Sequence, residues 1–266
     1  MPTSRSIPLF FALIAIASAA LMPSPAGADT ITLAADVWCP FNCDPGGDPP
    51  GYMLEVAKAV FEPRGHTVIY RVLPWARAVA FARRGDITGL IGPYKADAPD
   101  FIFPGNELAM IGFSIFVKTD VDWTYTGLPS LAHISLGVIN DYAYSPDIDG
   151  YVLEYMSETN RIQVASGERP LVTNIQKLLH GRIDALIETP PVLHYAAGAL
   201  GVADRLKSAG TAVAPQPAYI AFSPKAPQAE NYARILSDGI AELRRSGRLS
   251  EILARYGLTD WRERTP

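Results

Sequence analysis

The sequence predicts an α/β protein folded as two similar lobes with a cleft between them, and three observations carry that expectation. Residues 178–191 run from the last turn of a helix through a stop into a short apolar strand and a Pro-Pro loop. His180 falls where a helix C-terminus favours a partly positive group, and Gly181 supplies the left-handed position after it. Ile183, Ala185, Leu186 and Ile187 make the apolar run required of a parallel strand covered on both faces. Residues 82–93 repeat the pattern: Arg83 and Arg84 end a helix, Gly85 stops it, an apolar strand follows over 87–91, and Pro93 breaks it. Strand and helix patterns also alternate from residue 30 onward, which calls for parallel sheets with right-handed crossovers. Carboxyl ends of such strands are where α/β proteins bind ligands. The competing reading is that helix-Gly-strand junctions occur in any α/β protein.

The first strand, over residues 30–35, empties into a Pro-, Gly- and Asp-rich loop over 36–50. A helix follows from Gly51-Tyr52-Met53-Leu54-Glu55-Val56-Ala57 to about Phe61 and ends at Pro63-Arg64-Gly65. Residues 67–72 alternate as a second strand, and Pro74 opens a second helix at a position where its missing N–H costs nothing. After the strand over 87–91 and a loop over 93–104, a strand over 113–118 carries the chain into the second lobe. The pattern restarts after Thr126-Gly127-Leu128-Pro129. It gives a strand over 134–139, a helix over 147–158, a strand over 161–164, a helix over 171–179, the strand over 183–187 and a helix over 192–200. Residues 217–223 return the chain to the first lobe. Tyr232, Ile235, Leu236, Ile240 and Leu243 then share one stripe of a long amphipathic helix. Gly247 stops it before a short helix carrying Leu249, Ile252, Leu253 and Tyr256. Lobe 1 is thus expected over 29–116 and 219–266 and lobe 2 over 117–218, with two crossings forming a hinge.

The N-terminus reads as an address. Arg5 precedes an apolar run over 7–22, and Ala26-Gly27-Ala28 gives a small-x-small site before Asp29. That is the layout of a signal peptide over residues 1–28, too short for a comfortable membrane span. A retained N-terminal anchor is the alternative. No later segment is an apolar run long enough to cross a bilayer, so the mature chain is expected to be exported and not membrane-embedded. With Lys and Arg totalling 23 against 27 Asp and Glu, the net charge is −4 and no basic stripe is present. Nucleic acid and anionic membrane surfaces are therefore not expected partners.

Cys39 and Cys43 lie in Trp38-Cys39-Pro40-Phe41-Asn42-Cys43. In an oxidising exported compartment they point to a small disulfide loop, with two free thiols as the alternative. His66, His133, His180 and His194 are scattered without ligand spacing, so no metal and no cofactor are expected.

The first strand, an aromatic-Pro loop and then Gly51-Tyr52-Met53-Leu54-Glu55-Val56-Ala57 resemble the first signature of family 3 periplasmic solute-binding proteins. Leu136-Gly137-Val138 and Gly181-x-x-Asp184-Ala185 resemble that family's second-lobe strands. Arg245-Ser246-Gly247-x-Leu249-x-x-Ile252-x-x-x-Tyr256-Gly257 resembles its C-terminal helix pair. The resemblance covers nearly all of the chain after residue 28. It implies the type II periplasmic-binding-protein fold, with two hinge crossings and a ligand cleft between lobes. It further implies a periplasmic monomer that holds a small-molecule ligand and delivers it to an ABC permease.

Two positions depart from the family. Its amino-acid binders carry an Arg that clamps the α-carboxylate; counting from Gly85, Asp100 stands there. They also carry an Asp that holds the α-ammonium; counting from Gly181, Thr189 stands there, with Glu188 adjacent. A carboxylate denied its bidentate partner loses charge-assisted bonds worth about 1.5–3 kcal/mol each. The expected ligand is therefore not a standard α-amino acid.

The expected cleft residues follow the strand ends. Phe41 stands where the resemblance places an aromatic on the ligand, while Trp75 and, less so, Trp38 follow the first two strands. Arg77 lies near the start of the second helix, and Tyr94 and Lys95 follow the third strand, Lys95 as a source of positive charge. Tyr142, in Asn140-Asp141-Tyr142-Ala143-Tyr144, replaces an anion-binding turn by an aromatic wall, and Glu188 and Thr189 face it from the second lobe. Ordinary packing is the alternative for each aromatic, and a surface ion pair for Arg77. Such a lining suits a larger, partly apolar or sugar-like ligand.

Two other classes remain open: an accessory or sensing partner of another protein, and an enzyme on the same scaffold resembling cyclohexadienyl dehydratase. The latter needs an acid of raised pKa, for which Glu188 is the candidate. No G-x-S-x-G, H-E-x-x-H or phosphate-binding Gly loop is present. A binder rather than an enzyme is expected, and, with no membrane segment after Tyr256, one not fused to a receptor.

Overall fold

The computed structural model describes Met1 and residues 29–96 and 98–262. The expected signal peptide lies, apart from Met1, outside the described residues.

The chain runs β1 (Thr30–Ala35), α1 (Tyr52–Phe61), β2 (Thr67–Val72), α2 (Trp75–Arg84) and β3 (Gly89–Ile91), then β4 (Ala109–Lys118). The unit recurs as β5 (Leu136–Ile139), α3 (Pro146–Tyr155), β6 (Ile162–Ala165), α4 (Pro170–Leu179) and β7 (Ala185–Glu188). It is followed by α5 (Pro190–Ala199), β8 (Leu206–Ala218), β9 (Ile220–Phe222), α6 (Ala229–Arg245) and α7 (Arg248–Ala254). Two sheets result, one of order β2-β1-β3-β9 and one of order β6-β5-β7-β4-β8. In each, three parallel strands take the same order and an antiparallel strand covers the third. The repeated helix-to-strand junction thus marks a repeated half-sheet. Gly85 caps α2 at φ 86°, and Gly181 follows α4 at φ 67°, both in the left-handed region that a side chain resists.

The second sheet corrects two expectations. The strand expected over 113–118 begins at Ala109 and pairs with β7 and β8, so residues 109–116 hydrogen-bond with the second sheet and not the first. Sequence reading also missed most of β8, because Lys207, Ser208, Gly210, Pro215 and Pro217 break any strand-like pattern. β8 lies at the edge of its sheet, where missing N–H donors and polar side chains face no further strand.

The two crossing segments lie side by side. Ala109 pairs with Ala218, and Leu108 N–H donates to the Ala218 carbonyl over 2.8 Å. Gly92 N–H donates to the Tyr219 carbonyl and Tyr219 N–H to that of Pro93, which ties both crossings to the end of β3. The stripe on α6 buries Tyr232, Leu236 and Ile240. A fully buried Leu or Ile contributes about 1.5–3 kcal/mol, so this helix anchors the first sheet. Ser145 caps α3 by accepting from Ile148 N–H, and Ile148 and Tyr151 are the helix's buried positions.

Candidate functional site

Parallel strands end with their C=O edges at one side of a sheet, and here the ends of β1 and β3 face those of β5 and β7. β1 stops at Ala35, leaving Asp36 at its carboxyl end and only 4% exposed. The following loop folds back on itself through the Cys39–Cys43 disulfide and a hydrogen bond from Trp38 N–H to the Asn42 carbonyl. Asn42, fully buried, uses its Nδ2 twice, on the Asp36 carbonyl at 2.6 Å and on Tyr70 Oη at 2.8 Å. In the other half, β5 leads into a turn through Asp141 at φ 58°, a left-handed conformation that Asp tolerates better than most residues. Tyr142 follows it, and its Oη donates to Asp36 Oδ2 at 2.6 Å.

A second bond crosses the gap beside the first. Trp38 Nε1 donates to Glu188 Oε1 at 3.3 Å, and the same oxygen accepts the Thr189 N–H at 2.7 Å. The other Glu188 oxygen is buried and accepts no hydrogen bond from the described residues. Farther out, Arg169 lies 3.8 Å from Asp44 on the exposed rim.

These contacts border a partly open chamber of about 40 Å³ lined by Asp36, Trp38, Asn42, Trp75, Tyr94, Phe113 and Tyr142, with Ala35, Ile91, Gly92 and Ala143 completing the wall. Tyr144 backs it, stacking edge-on against Phe113 at 5.0 Å while its Oη accepts the Ile139 N–H. Beyond the disulfide loop, a wider groove of about 370 Å³ runs between that loop and α4 and α5, past Leu171, Val192, Tyr195 and Ala196.

Burial dominates the electrostatics. It pushes the Asp36 carboxyl from 3.8 up to about 6, against the opposing pull of the Tyr142 hydrogen bond. It pushes Glu188 from 4.5 to about 8, with the Thr189 and Trp38 donors pulling down and the Asp36 charge adding to the rise. Burial also holds the phenols of Tyr142 and Tyr144 well above their usual range. Among the described residues no Lys, Arg or His lines the chamber or forms an ion pair with Asp36 or Glu188.

The structure brings Trp75, Tyr94 and Tyr142 to the chamber wall and places Glu188 and Thr189 directly behind it, Thr189 as the first residue before α5. Phe41 is buried behind Trp38 at a ring distance of 4.6 Å, in contact with Tyr52 and away from the chamber. Arg77 is exposed on α2. Lys95 is exposed too, with its Nζ 5.1 Å above the Tyr219 ring, so it adds no charge to the chamber wall. Asp100 is held on the surface by both a 3.1 Å and a 3.2 Å bond from Arg83. Sequence reasoning missed Asp36 and Asn42. The available signal for Asp36 was its position immediately after the first strand.

No known protein family's sequence profile matches this chain, and no curated protein matches it by sequence. Its fold, however, is shared with many solved structures. One comes from work on glutathione import through GshT and the cystine ABC importer TcyBC of Streptococcus mutans. It is 19% identical with a TM-score of 0.70, over 86% of this chain and 95% of that one. A histidine kinase sensor domain with similarity to periplasmic binding proteins is 22% identical with a TM-score of 0.69, over 85% and 95%. An ancestral arginine-binding protein bound to arginine is 17% identical with a TM-score of 0.67, over 85% and 97%. The chain has the two-lobed fold of the type II periplasmic binding proteins.

Proposed function

We propose that this chain is an exported solute-binding protein that captures a small molecule between two lobes and presents it to an ABC importer. The two sheets are its lobes, hinged where Leu108–Ala109 and Ala218–Ile220 run side by side. The observation carrying the reading is the pair of buried hydrogen bonds, Tyr142 to Asp36 and Trp38 to Glu188, that draw the halves together around an aromatic chamber. Such contacts form only in the closed arrangement and would trap a solute placed there. The absence of a guanidinium among the described lining residues supports a ligand other than a standard α-amino acid. Native mass spectrometry of the exported protein, before and after mild denaturation, tests this. A stoichiometric small-molecule adduct is expected, with compaction in X-ray scattering when the solute is returned. A protein that carries no solute and compacts with none would end the proposal.

A second reading is favoured by one observation: Glu188 keeps its proton near neutral pH, as a general acid must. The enzyme would act on a leaving group held beside Glu188. Among the described residues no cation lines the chamber to meet a prephenate-like dianion, which weighs against the dehydratase version. Turnover abolished by Glu188→Gln with the fold intact would establish the enzyme over the binder.

A further inference from the structure

We infer that the chamber receives a compact protonated alkylamine, its ammonium group held by Asp36 and Asn42 within the aromatic wall, with the Glu188 acid directly behind that wall. The inference rests on the solute-binding reading and specifies its ligand class.

Three observations converge. Asn42 is fully buried and lines the chamber, and both hydrogens of its amide nitrogen are committed, to the Asp36 carbonyl and to Tyr70 Oη. Those partners fix the amide's orientation, and its Oδ1 accepts no hydrogen bond from the described residues. Glu188 Oε2 is in the same situation on the opposite half. The polar groups left over around the chamber are thus acceptors or acids, which a ligand rich in N–H donors completes. A buried carboxylic acid either keeps its proton or needs a compensating charge. Asp36 and Glu188 have none among the described residues, whereas the titratable groups facing them are the phenols of Tyr70, Tyr94, Tyr142 and Tyr144. Finally, the walls are Trp38, Trp75, Tyr94, Phe113 and Tyr142, whose ring faces attract a cation and pack on its alkyl substituents. A volume of about 40 Å³ admits a head group with few carbons.

A cation in the chamber favours the ionised form of both acids; at pH 7.5 Asp36 is already largely ionised, so the proton released on binding comes from Glu188. The N–H donors required exclude a quaternary ammonium as the best fit.

The test is titration calorimetry and NMR titration of the full exported protein with methylamine, isopropylamine and isobutylamine, each against the alcohol of the same skeleton. At pH 7.5 at least one amine is expected to bind one to one, at least tenfold more tightly than its alcohol. Proton release should appear as a heat that changes with the buffer's ionisation enthalpy. Affinity should fall at least tenfold between pH 7.5 and pH 5, and Asp36→Asn and Glu188→Gln should each cost a similar factor. Equal affinity for amine and alcohol would overturn the inference, and so would retention by the native protein of a neutral or anionic solute in place of an amine; either leaves solute binding standing. If no amine, sugar or amino acid binds and no solute is retained, both the inference and the binding role fall.

Discussion

Tyr142 and Asp36 stand more than a hundred residues apart in the chain, just past strands of different sheets, and the phenol donates to the carboxylate over 2.6 Å. The bond has two effects. It contributes to closure, and it opposes the burial that raises the Asp36 carboxyl. Tyr142→Phe removes the donor while keeping the ring. The expected cost is about 1–3 kcal/mol of closed-state stability, because a buried acceptor is left without its partner. The solution scattering of the variant should shift toward an open form, and the Asp36 carboxyl should titrate higher by NMR. An unchanged titration would show that the bond does not persist in solution.

Glu188 makes stability depend on pH. Its folded value near 8 lies above the ordinary 4.5, so the folded chain holds more protons than the unfolded chain between those values. The stability tied to that proton is complete below about 4.5 and is lost as pH rises through 8. Asp36 acts with the same sign between 3.8 and about 6. Each pH unit within the window costs at most about 1.4 kcal/mol per group. The melting temperature should therefore fall from pH 5 to pH 8.5, and Glu188→Gln should flatten most of that slope above pH 6. Parallel melting profiles for the two proteins would contradict the burial of this side chain.

Much of this architecture was legible because it depends on local signals that repeat. Gly85 and Gly181 punctuate helix ends, and the apolar runs after them reveal buried strands whichever partners they pair with. β8 was not legible, because its pairing is set by β4 and its edge position forgives the prolines that argue against a strand. The site was half legible. Trp75, Tyr94 and Glu188 follow strand ends directly, so topology alone places them near the chamber. Asp36 looked like the first of several acids in a surface loop, and its burial depends on the disulfide-closed turn and on Tyr142 arriving from the other half. Lys95 shares the strand-end position but leans over Tyr219 at the surface, a choice of direction that spacing does not encode.

The disulfide closes a loop with a sequence separation of 4. Loop entropy of that length stabilises by about 2 kcal/mol, small beside longer bridges. Replacing both Cys39 and Cys43 by Ser should lower stability by roughly that amount in urea titration and leave the far-ultraviolet spectrum unchanged. Trp38 emission should change more than the fold does, since Trp38 adjoins Cys39 and makes the bond to Glu188. Wholesale unfolding of the variant would mean that the loop nucleates the first sheet.

Gly112 lies in β4 directly against the backbone of β8. A Cβ there would lie 2.6 Å from the Val213 carbonyl oxygen and 2.9 Å from Pro215 N, both backbone atoms with little freedom to move. Gly112→Ala should force β4 and β8 apart and destabilise by about 1–3 kcal/mol, as other overpacking changes do. Amide exchange should rise along residues 111–118 in particular. A variant as stable as the parent would show that the register irregularity between Ile111 and Phe113 absorbs the methyl group.

Free amino acids provide the sharpest contrast with the binders of the same fold. An α-carboxylate entering this chamber meets the Asp36 carboxylate, with the Glu188 acid behind the wall, and among the described residues no Lys or Arg lines it. Asp100, the residue the family resemblance puts at a clamping Arg's position, is engaged with Arg83 on the surface. Unbalanced charges brought together in a buried site cost several kcal/mol, enough to erase the attraction of the ammonium end. Glycine, glutamate and arginine should therefore show no tight one-to-one binding in calorimetry at pH 7.5, while removing the carboxylate, as in an alkylamine, should restore it. Arginine is the most demanding case, since its guanidinium gives it a second cationic end to offer the acids. If it bound with submicromolar affinity, the acids would have to accept the side chain while the carboxylate remained in the outer groove, within reach of Arg169 on the rim. Arg169→Ala would then weaken arginine and leave alkylamines unaffected.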